Sequence, residues 1–225
     1  ERYPTLLKEI SDAPLILCKK GNLKEINKHA VAIVGTRTPT EEGLAVTRKL
    51  ATILASEGFV IVSGLAKGID TAAHEGAIDA NGVTVGVLGC DIQTIYPKEN
   101  IQLANSICAN GALVSEHPFD TQPTSVNLMQ RNRIISGISL GTIVVEANEN
   151  DGAIQTARFA QNQNRRVYAY HWPSNRPLTS GLLKLIADGA IGFKIPNVSN
   201  LLADLLKAEE GKFSVEKKDK QLELF

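Results

Sequence analysis

Four short stretches carry the residues best suited to hold an anion. They are Gly35-Thr36-Arg37, Ser63-Gly64-Leu65-Ala66-Lys67-Gly68-Ile69-Asp70, Arg131-Asn132-Arg133 and Asp151-Gly152-Ala153-Ile154-Gln155-Thr156. Glycine lets a backbone come close to a ligand, and exposed N–H groups at the start of a helix favour negative charge. The guanidinium groups of Arg37, Arg131 and Arg133 add planar donors that match phosphate oxygens in pairs. Residues 131–176 contain six arginines and no lysine, against Glu146, Glu149 and Asp151 as the acids. The chemistry suggested is a phosphate-binding rim built from Gly35, Thr36, Arg37, Ser63, Gly64, Lys67, Gly68, Arg131, Asn132, Arg133, Gly152 and Thr156. Each part also has a plainer use. Gly35 and Gly64 suit tight turns after strands, and Arg131 and Arg133 suit surface ion pairs. The combination stands out because several separate loops carry the same chemistry.

The residues advertise no catalysis and no metal. Asp70 and His74 stand four apart on one predicted helix and could form an acid–base pair; a capping Asp and a buried, hydrogen-bonded His is the favoured reading. There is no Gly-x-Ser-x-Gly elbow and no convincing nucleophile–base–orienter set. No Gly-x-Gly-x-x-Gly follows a strand and no Gly-x-x-x-x-Gly-Lys-Ser/Thr occurs, which disfavours dinucleotides and nucleoside triphosphates. Cys18, Cys90 and Cys108 form no Cys-x-x-Cys pair, so neither a disulfide framework nor a zinc site is expected. No catalytic residue, metal or cofactor is assigned.

What must position the rim is a set of Gly-punctuated apolar runs: Ala30–Gly35, Phe59–Ser63, Val83–Leu88, Ala112–Ser115, Thr142–Glu146 and Val167–Tyr170. Runs apolar on both faces belong in a parallel sheet covered on both sides. Helical patterns lie between them. The first has Thr40 as N-cap, Leu44, Thr47, Ala51 and Leu54 near one face, and Gly58 beyond its end. The second is expected to begin at Asp70 as its cap and to stop before Asn81-Gly82. Others span roughly Glu99–Ala109, Arg133–Ser139, Gln155–Asn162, Gly181–Asp188 and Ser199–Glu209. The alternation reads as a doubly wound α/β sheet with helices on both faces, and ligands bind such sheets at the strands' carboxyl ends. Residues 1–29 are expected as a lead-in packed on the sheet edge, 30–210 as the domain and 211–225 as a charged tail. With 24 basic and 24 acidic residues, coating nucleic acid through overall charge is excluded and a local basic patch is not. No apolar stretch fits a membrane span and the first residues lack a signal pattern, so a cytoplasmic protein is expected.

At these loops the sequence resembles the DNA-processing family DprA/Smf, from Tyr3-Pro4 to about Ala190. The ordered segments are Ala32 through Arg37, Val62 through Asp70 with Ala73-His74, Tyr96-Pro97, Ser115-Glu116-His117-Pro118, Arg131 through Gly137, Val144 through Ala147, and Gly152 through Ala157. The resemblance implies an extended Rossmann-like, mostly parallel fold, binding of single-stranded DNA without turnover, homodimers, and loading of the recombinase RecA in natural transformation, other recombination or repair. It also implies that Arg37 contacts the DNA backbone, with Ser63, Gly64, Arg131 and Arg133 lining the same pocket. The sequence departs from the family at several points. Leu128 and Met129 stand where a Phe-Pro pair with a base-meeting Phe is usual, and Ser125 where a basic residue is usual. His171-Trp172 replaces Pro-Gly, and Leu183 replaces an Asn. Trp172 could offer another stacking surface or pack inside.

The final residues, Gln221-Leu222-Glu223-Leu224-Phe225, are similar to the peptide by which bacterial proteins dock on the replicative sliding clamp. Gln221 would direct, while Leu222, Leu224 and Phe225 would fill an apolar pocket. A rival reading is a nucleotide sensor or nucleotide N-glycosidase using the same strand-end pocket. It resembles the cytokinin-activating LOG proteins, whose Pro-Gly-Gly-x-Gly-Thr-x-x-Glu loop aligns with Asp151–Arg158. Gly152 and Thr156 are kept there; the other glycines and the final Glu are not.

Overall fold

Strands buried on both faces need a helical layer on each side, and the chain builds that arrangement. The computed structural model describes residues 3–23, 26–27, 29–173 and 176–207. Its sheet contains β1 (Cys18–Gly21), β2 (Ala30–Val34), β3 (Val60–Ser63), β4 (Thr84–Val87), β5 (Ala112–Ser115), β6 (Gly141–Val144), β7 (Arg166–Tyr170) and β8 (Ile191–Phe193). The strand order is β1-β5-β4-β3-β2-β6-β7-β8. Every neighbouring pair is parallel except β1 with β5. Strands β2 through β6 bury every residue.

The helices are α1 (Glu41–Ser56), α2 (Ile69–Asp79), α3 (Ile101–Asn110), α4 (Ser125–Gln130), α5 (Asn132–Ile138), α6 (Gly152–Asn162) and α7 (Ser180–Ala187); residues 198–207 are also helical. α1, α2 and α3 pack side by side, while α5 packs with α6 in the other layer. Thr40 caps α1 as expected, its hydroxyl accepting from the Gly43 N–H at 3.0 Å. Leu50 and Leu54, one turn apart, are fully buried beneath α1; full burial of such a side chain stabilises by ~1.5–3 kcal/mol.

From β2 the chain steps outward through β3, β4 and β5, then returns to the opposite side of β2 for β6. The loops leaving β2 and β6 therefore diverge, and the crevice between them is where an open α/β sheet binds its ligands. Two backbone bonds hold the loops' roots together: the Val145 N–H donates to Val34 O at 3.2 Å and the Thr36 N–H to Glu146 O at 2.7 Å.

The structure corrects several expectations. Residues 1–29 do not only lie against the edge: Cys18–Gly21 joins the sheet as an antiparallel edge strand. The 3-10 turn Leu6–Glu9 buries Leu7 against α5. Cys-Lys-Lys-Gly has no apolar alternation to signal a strand, and backbone pairing with β5 holds it. β8, at the other edge, is three residues long. α2 begins at Ile69 behind Gly68, so Asp70 lies inside its first turn and does not cap it. α6 begins at Gly152, three residues before the expected Gln155. Among the described residues no helix is long and apolar enough to cross a membrane, and no three His, Cys, Asp or Glu cluster to hold a metal. Gln221, Leu222, Leu224 and Phe225 lie outside the described residues.

Candidate nucleic-acid interface

A cavity of about 400 Å³ opens at the crevice. The loop after β2 supplies Gly35, Thr36, Arg37 and Thr38, and the loop after β6 supplies Asn150, Asp151 and Gly152. α4 and α5 add Ser125, Leu128, Met129, Arg131 and Asn132, and Thr156 closes the α6 side. Gly152, Ala153 and Thr156 lie on the first turns of α6; the Ile154 N–H is committed to Asp151 O at 3.0 Å, while the Gly152 and Ala153 amides precede the helix's own bonding. A Cβ on Gly152 would meet only Asn132 Nδ2, at 3.9 Å, so the helix start is open in front. Arg37 is exposed and makes no ion pair among the described residues. Leu128 and Met129 give one wall an apolar character; α4 buries none of its residues, and Met129 is 45 % exposed. Anion donors thus face an apolar wall, the combination a nucleotide needs.

Arg131 forms the floor. It is buried, donating from Nη1 to the Gly64 and Val87 carbonyls and from Nε to Asn132 Oδ1 at 2.9 Å. Asn132 Nδ2 in turn reaches the Gly152 carbonyl at 3.3 Å, tying the floor to α6. Burial lowers the Arg131 pKa to about 10, with neighbouring Asp70 acting the other way and Arg37 adding to the lowering; it stays charged at neutral pH. Asp70 Oδ2 accepts from the N–H groups of Gly64 (3.1 Å) and Ala66 (3.3 Å). Leu65 between them has φ 60°, the left-handed backbone that turns both amides onto one oxygen. The amides expected to stay open after β3 are therefore taken by the protein's own carboxylate. Burial raises the Asp70 pKa, opposed by Arg131.

Below it, His74 Nδ1 lies 2.7 Å from Thr84 Oγ1, whose hydroxyl donates to Ile61 O at 2.7 Å. The Thr proton is thus committed to the carbonyl, so Nδ1 carries the His proton and donates. Burial, with Arg131 adding to it, lowers the His74 pKa to about 3. Asp70 and His74 serve the interior and form no acid–base pair with each other.

The remaining predicted site residues stand elsewhere. Ser63 is buried and donates to Ile33 O at 2.7 Å. Gly64 is required by packing, since a Cβ would lie 2.3 Å from Arg131 Nη2. Gly68 adopts φ 81°, and its Cβ would meet Thr36 O at 2.6 Å. Lys67 is exposed and pairs with Glu99 at 2.6 Å. Arg133 is not brought to the cavity. It makes a paired contact to Glu116 (2.8 and 2.6 Å) and reaches Asp12 at 3.1 Å. Trp172 is packed inside, 6 % exposed, its indole N–H donating to Val145 O at 2.6 Å and the Arg176 guanidinium 3.9 Å from its ring. It offers no stacking surface to a ligand.

One buried group was not recognised as structural from sequence. The Glu146 carboxylate accepts from the Thr40 N–H (2.9 Å) and hydroxyl (2.6 Å), with Arg176 at 3.7 Å, and so anchors the start of α1 behind the Arg37 loop. A lone Glu closing the apolar run Val144-Val145 was the available signal.

The model of the DNA recombination-mediator protein A family matches residues 1–205. The chain belongs to that family. It is 44 % identical over 191 residues to the DNA processing protein DprA of Bacillus subtilis, covering 84 % of this chain and 64 % of that one. It therefore spans less than two thirds of that relative's length. DprA of Streptococcus pneumoniae superposes with a TM-score of 0.81 at 38 % identity, covering 86 % of this chain and 68 % of the other. DNA processing protein A of Helicobacter pylori superposes at 0.83 and 32 % identity, covering 91 % and 94 %; that structure concerns the protein's single-stranded DNA binding mode. The Rossmann-like, mostly parallel α/β sheet expected from the sequence is the fold observed.

Proposed function

We propose that this chain is a cytoplasmic, non-catalytic binder of single-stranded DNA that acts in recombination, taking the strand at the crevice between the β2 and β6 loops. The observation that carries this reading is Arg37, an exposed guanidinium with no ion pair among the described residues, facing the open start of α6 across a cavity with an apolar Leu128–Met129 wall. Phosphate is held by Arg37 and the α6 amides, and a base lies on the apolar side. Arg131 supplies charge from below, since its Nε and Nη1 are already committed. Arg133 holds the lead-in and the Glu116 loop and is not part of the contact surface. The single-stranded DNA binding of the Helicobacter pylori relative supports this choice of ligand.

The finer parts of the proposal follow the family in one respect, a homodimer that places RecA on DNA in transformation or repair; docking of Gln221, Leu222, Leu224 and Phe225 on the sliding clamp rests instead on the terminal peptide alone. Deletion of 221–225 is expected to abolish clamp binding and leave DNA affinity unchanged. The deciding experiment for the core is fluorescence anisotropy with single-stranded and duplex oligonucleotides at two salt concentrations. Preference for the single strand, weakened by salt and by Arg37→Ala, is expected. Release of free base from a nucleoside monophosphate would favour the N-glycosidase instead.

A further inference from the structure

Beside the main cavity lies a smaller hollow of about 60 Å³, and its walls include Arg37, Ala66, Leu128 and Arg131, which also line the cavity. Gly64, Lys67, Tyr96 and Pro97 complete it. Tyr96 is 43 % exposed while Pro97 next to it in the chain is buried, so an exposed aromatic residue adjoins a fixed base. That base is tied to the β3 turn. Asn100, just past Pro97, is buried and donates from Nδ2 to Leu65 O at 2.9 Å and to Thr71 Oγ1 at 3.0 Å. Lys67, on the same turn, reaches out to Glu99 through an exposed pair, the kind that water and salt weaken readily.

We infer that this hollow is a second nucleotide subsite, in which a base lies on the Tyr96 ring and Lys67 takes the adjoining phosphate from Glu99. The inference rests on the proposed single-stranded DNA reading and deepens it. The hollow is too small to enclose a base, which suits a ring lying flat on an aromatic face; such stacking accepts any base. Sharing Arg37 with the main cavity makes the path continuous: one nucleotide sits in the cavity, the backbone passes Arg37, and the next base meets Tyr96. Glu99 competes with phosphate for Lys67, so the subsite fills only when a strand is long enough to bring a second phosphate.

A ladder of fluorescein-labelled oligothymidylates, from dinucleotide to about fifteen residues, tests this with the full chain. Tyr96→Ala is expected to weaken the longer oligonucleotides about fivefold or more, the lower bound of one base–aromatic stack, and to leave the shortest bound oligonucleotide unaffected. Tyr96→Phe keeps wild-type affinity, because the ring is what matters. Glu99→Gln tightens the longer oligonucleotides, and Lys67→Ala lowers the salt slope. Tyr96→Ala binding like wild type at every length, while Arg37→Ala loses affinity throughout, would overturn the subsite and leave the main reading standing. A wild-type chain that binds no oligonucleotide sinks both.

Discussion

The turn after β3 and the crevice between the β2 and β6 loops look alike in sequence, each with glycine, a hydroxyl residue and a cation. They are built for opposite ends. In the β3 turn the polar groups are spent inside the protein. Asp70 takes the Gly64 and Ala66 amides, Arg131 takes the Gly64 carbonyl, and Ser63 takes Ile33 O. In the crevice, Arg37 and the first turn of α6 face open space. A glycine-rich strand end therefore marks a binding site only where its amides have no internal acceptor. Substitutions in the turn should cost stability, and those in the crevice should cost binding.

The largest effect is expected at the floor. Arg131→Met leaves the Gly64 and Val87 carbonyls without a donor and Asp70 without its nearby cation, which should cost ~3–5 kcal/mol of unfolding free energy. Urea titration measures it, and a loss below about 1 kcal/mol would dissolve the distinction between floor and rim. Next comes pH. His74 is held neutral in the fold, with a folded pKa near 3 against an ordinary value of 6.5. Because the folded value is the lower one, the unfolded chain binds the proton first. The His74 contribution is complete above 6.5 and falls by about 1.4 kcal/mol for each pH unit between 6.5 and about 3. Asp70, whose folded pKa burial raises, works the other way. Comparing wild type with His74→Gln between pH 7 and 5 isolates the His term, since the variant should lack that slope.

At Gly68, alanine must adopt φ 81° and meet Thr36 O, so Gly68→Ala should destabilise by at least about 1 kcal/mol. Its binding curve should change little once the folded fraction is allowed for. Arg133→Ala removes the Glu116 and Asp12 pairs and is expected to lower thermal stability modestly, by about 1 kcal/mol. Single-stranded DNA affinity should move less than about twofold in a titration at fixed salt, since a change that small lies below one charge-assisted contact.

Much of the architecture was legible. The runs around Ala30–Val34, Val60–Ser63 and Gly141–Val144 are mostly apolar and buried at every residue, and only a sheet covered on both faces buries such runs. The antiparallel edge strand was not, because Cys18–Gly21 leaves its lysines exposed and pairs through backbone alone. Within the site, Arg37 and Gly152 could be placed from sequence because they lie in the connections that lead from β2 into α1 and from β6 into α6. The paired arginines could not be separated by residue type. Two positions apart on a helical path they point to different sides, so one turned inward to the strand ends and the other outward to Glu116. Asp70 was legible as a helix-start acid; that its carboxylate would reach back to Gly64 depended on the left-handed turn at Leu65.

On the proposed reading one exposed guanidinium in the crevice, Arg37, carries the strand contact while Arg133 does not. The most direct measurement is the slope of log affinity against log salt for single-stranded DNA, in wild type, Arg37→Ala and Arg133→Ala. The account predicts that Arg37→Ala loses about tenfold or more in affinity and lowers the slope by about 0.7–1, while Arg133→Ala keeps the wild-type slope. An unchanged slope in Arg37→Ala, or an equal fall in Arg133→Ala, would contradict it.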